Sequence, residues 1–225
     1  MQRLTLRLLE DRAPANGDPI YLPAIAARTL YVVEGDITLE TASGCAHYAQ
    51  GAAWIGDTAL AVLPGGQGAR LLRWELVAPG DDEGVLRGAP QSGSVVANSA
   101  TIELDPGFGW LMRCDRVSFP KGGVAYTHIH QGPGIRYCLE GGIRIETEGH
   151  VNTYGPDEAW FESGSAPVLA PTSPDAETTF VRCFILPRSC KGRTSIRYVR
   201  PEDASKPKVQ RYRVLGERFI ELPSA

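Results

Sequence analysis

An internal repeat constrains the fold of this chain more than any other feature of its sequence. The segment YVVEGDITLET, residues 31–41, aligns without a gap over YCLEGGIRIET, residues 137–147, at an offset of 106 positions. The same offset matches further residues, namely Tyr48 with Tyr154, Trp54 with Trp160 and Arg7 with Arg113. A repeat of this length predicts two related halves, each of typical domain size.

Within each half, the hydrophobic pattern is that of short strands. Apolar residues alternate with polar ones over short runs, and no stretch carries a convincing helical period. The 225 residues include 25 Gly and 17 Pro, which suit many turns between strands. The pattern predicts an all-β chain with a sandwich or small barrel in each half, architectures that leave few open sheet edges.

The sequence predicts four segments along the chain. Residues 1–78 form the first barrel, residues 79–94 (PGDDEGVLRGAPQSGS) a linker rich in Gly and Pro, and residues 95–190 the second barrel. Residues 191–225 form a C-terminal arm in which basic and acidic residues are interleaved. Such an arm is typical of packing or of a subunit contact rather than of a nucleic-acid site.

The net charge indicates what kind of partner the protein binds, and the cysteines indicate in which compartment it lies. With a net charge of −3 and a pI near 5.8, the chain lacks the excess of positive charge that is typical of proteins that bind nucleic acid or an anionic membrane. A small-molecule ligand is therefore expected. The first twelve residues scatter charges among apolar residues, unlike a signal peptide, and no later run is long enough to span a bilayer. Five cysteines without C-x-x-C spacing predict reduced thiols, and a cytoplasmic location is expected.

Two of the four histidines lie one residue apart in the segment YTHIHQGPGIRYCLEGG, which begins at Tyr126. On a strand, His128 and His130 project from the same face, so their imidazoles lie close enough to bind one ion. Taken alone, an H-x-H pair is as readily a solvated pair on an exposed face. The surrounding residues have to decide between these interpretations.

The surrounding residues resemble the metal motifs of the cupins. In GVAYTHIHQGPGIRYCLEGG, Gly123 precedes the H-x-H pair at the spacing found in that family. The segment YGPDEAWFESGSAPV is similar to the second cupin motif and retains Gly155 and Gly164. The first half, with EGDITLE and QGAAWIGDTA, resembles another copy. The resemblance implies a bicupin, with two tandem double-stranded β-helix (jelly-roll) barrels related by internal duplication, and a homodimer.

The chain departs from the cupin motifs at several ligand positions. Gly134 stands where the family places a glutamate ligand, and Pro167 stands where it places a third histidine. In the first half, Leu22 and Ala24 match the two histidines and cannot bind a cation. The first barrel is therefore expected to be structural or to form a subunit interface.

Glu162 is the candidate third ligand. It lies on the strand that, by the resemblance, brings the third histidine to the metal, and two histidines with one carboxylate form a facial-triad ligand set. The alternative is an exposed glutamate or one paired with Arg136. The expected cofactor is a divalent ion, with Fe, Mn, Ni and Zn all compatible.

Four further residues are predicted to contact the substrate. By alternation from Gly134, Arg136 and Cys138 face the barrel interior, where a guanidinium suits a carboxylate ligand. Trp160 shares a face with Glu162, and Tyr126 carries a hydroxyl near the histidines. Three of them have a structural alternative, namely an Arg136–Glu162 ion pair for Arg136 and core packing for Trp160 and Tyr126. No catalytic residue is singled out.

Three functions are compatible with these residues. The first is a mononuclear metalloenzyme of the dioxygenase type, acting on a small carboxylate, enolate or catechol-like substrate. The second is a metal-free or weakly metallated protein that binds a small anion without catalysis. The third is a non-redox isomerase or decarboxylase.

Overall fold

The computed structural model describes residues 1–82, 84–86 and 91–223. The chain divides into two compact units, the first formed by Met1–Gly107 with the residues from Ile220 onward, and the second by Phe108–Phe219. Both units are built of strands, which confirms the all-β prediction. The only α-helix of the described residues, α1, covers Pro201–Ser205, and none of their helices is long and apolar enough to cross a membrane.

The first unit is a single antiparallel sheet. Its seven strands are β1 (Gln2–Ala13), β2 (Ile20–Leu22), β3 (Ala27–Thr41), β4 (Gly44–Ala49), β5 (Ala53–Gly56), β6 (Leu60–Val77) and β7 (Gly93–Leu104). They run in the order β4-β3-β6-β1-β7, with β2 added to β6 and β5 added to β3. Alternate apolar side chains, such as Leu30 and Val32 of β3, project into one hydrophobic core.

The second unit consists of two five-stranded sheets. Its strands are β8 (Trp110–Phe119), β9 (Val124–His130), β10 (Gly134–Glu140), β11 (Ile143–Thr147), β12 (His150–Tyr154), β13 (Ala159–Glu162), β14 (Val168–Pro171), β15 (Thr178–Pro187), β16 (Ile196–Tyr198) and β17 (Arg211–Ile220). One sheet has the order β13-β10-β15-β8-β17 and the other β12-β11-β14-β9-β16. Side chains from both sheets, including Phe119, Ile145 and Phe180, share one core.

The Glu-Gly pair of the repeat marks the same backbone feature in both units. Gly35 and Gly141 each have a φ of 75°. A Cβ on Gly35 would lie 2.0 Å from the carbonyl oxygen of Gly68, and one on Gly141 would lie 2.1 Å from that of Glu177. Only glycine fits this combination of positive φ and close backbone approach, which explains why the repeat retains it.

The division of the chain differs from the expected one in two places. Strand β7, which was expected to belong to the linker and the second barrel, pairs with β1 of the first unit. The segment after residue 190, expected to be an arm, supplies β16, which pairs with β9, and β17, which lies beside β8. β1 pairs with β6 on one edge, and β8 pairs with β15 on one edge. The backbone groups of their other edges are satisfied by β7 and β17, respectively. Residues 83 and 87–90 of the predicted linker lie outside the described residues.

Candidate metal centre

Three buried side chains of the second unit converge on one point. His128 and His130 lie on β9, and Glu162 ends β13. Their ligand atoms all lie within 4.8 Å of one another, and each residue is at most 9% exposed. The structure thus brings together the three residues that the sequence predicted as metal ligands, although they come from strands of different sheets.

A β-bulge in β9 orients the first histidine. The register of β9 against β14 runs from His128 opposite Val168 to Ala125 opposite Ala170, so β9 carries one extra residue at this point. The carbonyl oxygen of Tyr126 lies 2.7 Å from Nδ1 of His128. This contact suits a proton on Nδ1, which leaves the Nε2 lone pair free for a cation.

The second histidine is held in a similar way. Nδ1 of His130 lies 3.3 Å from the hydroxyl oxygen of Ser195, and its Nε2 lies 3.9 Å from Oε2 of Glu162. Burial lowers the pKa of both imidazoles, and for His130 the nearby Arg182 and Arg136 lower it further. The histidines are therefore neutral at pH 7 and present lone pairs without first losing a proton.

The carboxylate of Glu162 retains an open position. Its Oε1 accepts a hydrogen bond of 2.8 Å from Nε1 of Trp160. Its Oε2 lies 2.8 Å from Nη2 of Arg136, which is an ion pair by distance, but the geometry is not that of a hydrogen bond and both atoms are left without a hydrogen-bond partner. A buried carboxylate oxygen with a free lone pair next to two neutral imidazoles fits a divalent transition-metal ion.

The comparisons with known proteins identify the fold. No protein-family model and no curated protein sequence matches the chain. An oxalate decarboxylase variant from Bacillus subtilis matches with a TM-score of 0.59 at 13% identity, over 89% of this chain and 73% of that chain. AerE from Microcystis aeruginosa matches with a TM-score of 0.57 at 10% identity, over 79% and 87%. A Pseudomonas aeruginosa protein described as glyoxylate-induced matches with 0.53 at 17% identity, over 81% and 74%.

These neighbours are cupin-domain proteins, and the oxalate decarboxylase is a bicupin. The fold is that of the cupins. The resemblance drawn from the sequence motifs is confirmed at the level of fold, and the correspondence between the strands of the two units agrees with an internal duplication.

Gly134 explains why the carboxylate of this cluster comes from a neighbouring strand. A Cβ at Gly134 would lie 2.6 Å from the carbonyl oxygen of Cys183 and 2.8 Å from the ring of Phe184, so no side chain fits there. Glu162 is the direct cross-strand partner of Gly134, on the neighbouring β13. Because Gly134 carries no side chain, the carboxylate at this point of the sheet comes from Glu162 on the neighbouring strand.

Replacement of Gly134 by Ala is expected to destabilise the protein by about 1–3 kcal/mol, since the added methyl overlaps a backbone carbonyl that cannot rotate away. Gly93→Ala is the matched control, because nothing lies within 4 Å of the Cβ position there. Urea denaturation of both variants measures the difference. Equal stability of the two would show that the strand around Gly134 has room for a side chain.

Arg136, predicted as a substrate ligand, is instead a partner of Glu162. It is 1% exposed, it does not line the cavity at the histidines, and its Nη1 donates to the carbonyl oxygen of Gly134 at 2.5 Å. Burial lowers its pKa to about 10, against the opposing effect of Glu162, so the guanidinium stays charged at pH 7. The ion pair that the sequence left as an alternative is thus present, and it leaves Oε2 of Glu162 accessible to the histidines.

The other predicted contact residues divide between the cavity and the core. Trp160 lines the cavity and binds Glu162. Cys138 packs in the hydrophobic core and burial raises its pKa to about 11, so the structure gives it no contact with the cavity. Tyr126 does not line the cavity either, because the bulge turns Ala125 inward in its place. Simple alternation from His128 missed this change of face.

The cavity at the histidines has a volume of about 260 Å³. Most of its wall is apolar, with Phe119, Ile143 and Phe180 among its residues. Arg182 also lines it, with Nε 2.5 Å from Oδ1 of Asp115 and its guanidinium 4.5 Å from the ring centre of Phe184. The volume lies just below the about 300–1,000 Å³ of typical ligand pockets, which suits a small ligand.

Sequence reasoning missed Arg182 and every cavity residue after position 190. Arg182 is equivalent to Arg73, since β15 and β6 pair in matching registers with β10 and β3, and a second alignment offset would have revealed it. Ser195, Tyr198 and Gln210 lie beyond the repeat, so no internal comparison signals them. They reach the cavity because β16 pairs with β9.

The first unit has a buried charge cluster and carries no histidine at the two positions that match His128 and His130. Leu22 is buried in its core, and Ala24 is exposed after the end of β2. Glu75 accepts hydrogen bonds from Arg7, Arg28 and Arg73 at 2.7–2.9 Å. Burial opposes ionisation of Glu75, but the charges of Arg73 and Arg28 outweigh it and lower its pKa to about 2. This unit has a saturated ion-pair network at its interior.

Glu75→Gln is expected to destabilise the first unit by about 3–5 kcal/mol, because it leaves three buried guanidinium groups short of one counter-charge. Glu34→Gln is the control, since its 67% exposed side chain makes a surface ion pair worth about 0–1 kcal/mol. The stabilisation from Glu75 is complete above pH 4.5, its ordinary pKa, and is lost as the pH falls towards about 2. Urea denaturation at pH 7 and pH 3 measures both effects, and a loss as small as the control's would contradict the buried network.

Proposed function

We propose that the second unit is a mononuclear metal-dependent enzyme of the dioxygenase type that acts on a small carboxylate, enolate or catechol-like anion. The observation that supports this most is the buried cluster of two neutral imidazoles and one carboxylate beside a largely apolar cavity. A divalent ion held by His128, His130 and Glu162 would supply a Lewis-acidic centre with open positions and, with iron or manganese, redox chemistry towards O₂.

The residues around this cluster prepare it for such a role. The carbonyl oxygen of Tyr126 and the hydroxyl of Ser195 hold the two imidazoles from their Nδ1 side. Arg136 places a positive charge 2.8 Å from Oε2 of Glu162 and so holds a counter-charge beside the carboxylate. These outer contacts orient the ligand atoms before a cation arrives, an arrangement that strengthens metal sites.

The cavity supports an anionic, partly apolar ligand. Arg182 places a guanidinium at its wall, and the rings of Phe119 and Phe180 add apolar surface to the same wall. A carboxylate close to Arg182 would be bound in a low-dielectric setting, where a charge-assisted hydrogen bond is stronger than in water. The apolar walls also offer contact area to a ligand body larger than the two carbons of oxalate.

The test is O₂ consumption by protein reconstituted anaerobically with Fe(II), Mn(II) or Zn(II). Uptake is measured with a panel of 2-keto acids, 1,3-diketones and catechols. We expect uptake that depends on both a redox-active metal and one substrate class, and its loss in His128→Ala. Release of CO₂ without O₂ uptake would replace the dioxygenase by a non-redox decarboxylase; the B. subtilis neighbour is described as an oxalate decarboxylase. Metal binding with neither activity would leave an anion-binding protein.

A further inference from the structure

The C-terminal segment, residues 191–219, lies directly beside the candidate metal ligands. In the pairing of β16 with β9, Tyr198 is opposite His128 and Ile196 is opposite His130. Directly opposed residues of antiparallel strands project from the same face of the sheet, so Tyr198 points to the side on which His128 points. Both side chains line the same cavity.

Tyr198 forms a pair with Gln210, and this pair has unused hydrogen-bonding capacity. Nε2 of Gln210 donates to the hydroxyl oxygen of Tyr198 at 3.3 Å. Gln210 lines the cavity, and its Oε1 is buried without a hydrogen-bond partner. The Tyr198 hydroxyl keeps its own proton to donate, so the pair offers at least one donor and one acceptor.

This conclusion holds for either orientation of the Gln210 amide. With the amide turned over, the Tyr198 hydroxyl donates to Oε1, and Nε2 becomes the free donor while the hydroxyl oxygen remains an acceptor. One donor and one acceptor remain in both cases. A ligand that satisfies them must itself carry an adjacent acceptor and donor, as a hydroxyl group does.

The same segment adds a positive charge. Within the described part of the chain, Lys208 is the only cation lining the cavity that has no carboxylate partner, since Arg182 pairs with Asp115 and Arg113 with Glu217. The Lys208 ammonium contacts the backbone carbonyls of Asp203, Ala204 and Lys206 and lies 4.2 Å from the ring centre of Tyr198. It therefore adds attraction for an anion next to the hydrogen-bonding pair.

We propose that the C-terminal segment is the specificity element of this cavity, and that Tyr198 and Gln210 select a small carboxylate that also carries a hydroxyl group. The inference rests on the proposed metal centre, which would hold the carboxylate end. Tyr198 and Gln210 would then bind the hydroxyl, and Lys208 would contribute charge without distinguishing hydroxylated from plain acids.

The test compares mandelate with phenylacetate, two acids that differ by a single hydroxyl group. Both are titrated by calorimetry into the 225-residue chain loaded with Zn(II), after metal analysis of each sample. The native protein is expected to bind mandelate about tenfold more tightly, the effect of about one hydrogen bond. Tyr198→Phe and Gln210→Leu are each expected to bring this ratio close to one, with phenylacetate affinity unchanged.

Two further variants complete the design. Lys208→Met is expected to weaken both acids by the same factor, and Tyr21→Phe, a 78% exposed tyrosine of the first unit, to change neither. The inference is overturned if the native protein binds mandelate and phenylacetate equally well. It is also overturned if the ratio of the two affinities is unchanged in both Tyr198→Phe and Gln210→Leu, whatever the metal content. Absence of bound Zn(II) overturns the proposed metal centre instead, so the two failures are distinguishable.

Discussion

The double variant His128→Ala/His130→Ala is expected to lose nearly all metal, while the native chain carries close to one divalent ion per molecule. The two imidazoles are two of the three candidate ligands, and both are buried with their Nδ1 atoms already occupied. Outer contacts alone commonly alter metal affinity by about 10–100-fold, and loss of two ligands should exceed that. Plasma mass spectrometry on protein purified without a histidine tag measures the content.

The control for this experiment is His47→Ala/His150→Ala, which removes the other two histidines of the chain. Both are exposed, so the variant should keep native metal content and stability. Thermal unfolding of all three proteins separates loss of metal from loss of fold. Equal, trace amounts of metal in the native chain and both variants would contradict the metal centre and favour the metal-free anion binder.

The second large effect is expected from Arg136→Met, which should destabilise the metal-free protein by about 3–5 kcal/mol. Arg136 is the buried partner of Glu162, and removing it leaves a carboxylate without a counter-charge in the interior. The double variant Arg136→Met/Glu162→Gln should recover most of this loss, because it removes the carboxylate charge as well. Urea denaturation in the presence of a chelator gives the three free energies of unfolding.

Addition of Zn(II) to Arg136→Met provides the decisive comparison. A bound cation would replace the guanidinium as counter-charge for Glu162, so metal should stabilise Arg136→Met more than it stabilises the native protein. The double variant, with no charge at position 162, should gain less than either. A metal-induced rise in melting temperature that is the same in all three proteins would show that Glu162 is not a ligand.

Much of the fold could be predicted because its determinants are local or repeated. Period-two patterning located strands, and the offset of 106 positions related the two units. The Glu-Gly pairs at Gly35 and Gly141 reflect a backbone conformation that permits only glycine, so the repeat retains them. The boundaries were less predictable, since the residue pattern of an edge strand such as β7 does not reveal that it pairs with β1.

The site was predicted where side-chain alternation holds and missed where it fails. His128 and His130 project from the same face because the strand is regular between them. A single bulge before His128 turns Tyr126 away from the cavity and Ala125 towards it. The sequence predicted that Arg136 lies in the interior. Whether its guanidinium pairs with Glu162 or with a ligand depends on the distance between β10 and β13. Pairwise distances of this kind are not encoded in a single sequence pattern.

By itself, the sequence determined an all-β chain with an internal repeat, motifs that resemble those of the cupins and an H-x-H pair on one strand. Only the tertiary structure decided that Glu162 completes the cluster opposite a sterically closed Gly134 and that Arg136 neutralises it. It also decided that Tyr198 and Gln210 reach the cavity. The physical reason is the separation along the sequence over which each determinant acts. Strand periodicity and glycine conformation depend on neighbouring residues, whereas the packing of β13 and β16 around β9 and β10 joins residues tens of positions apart.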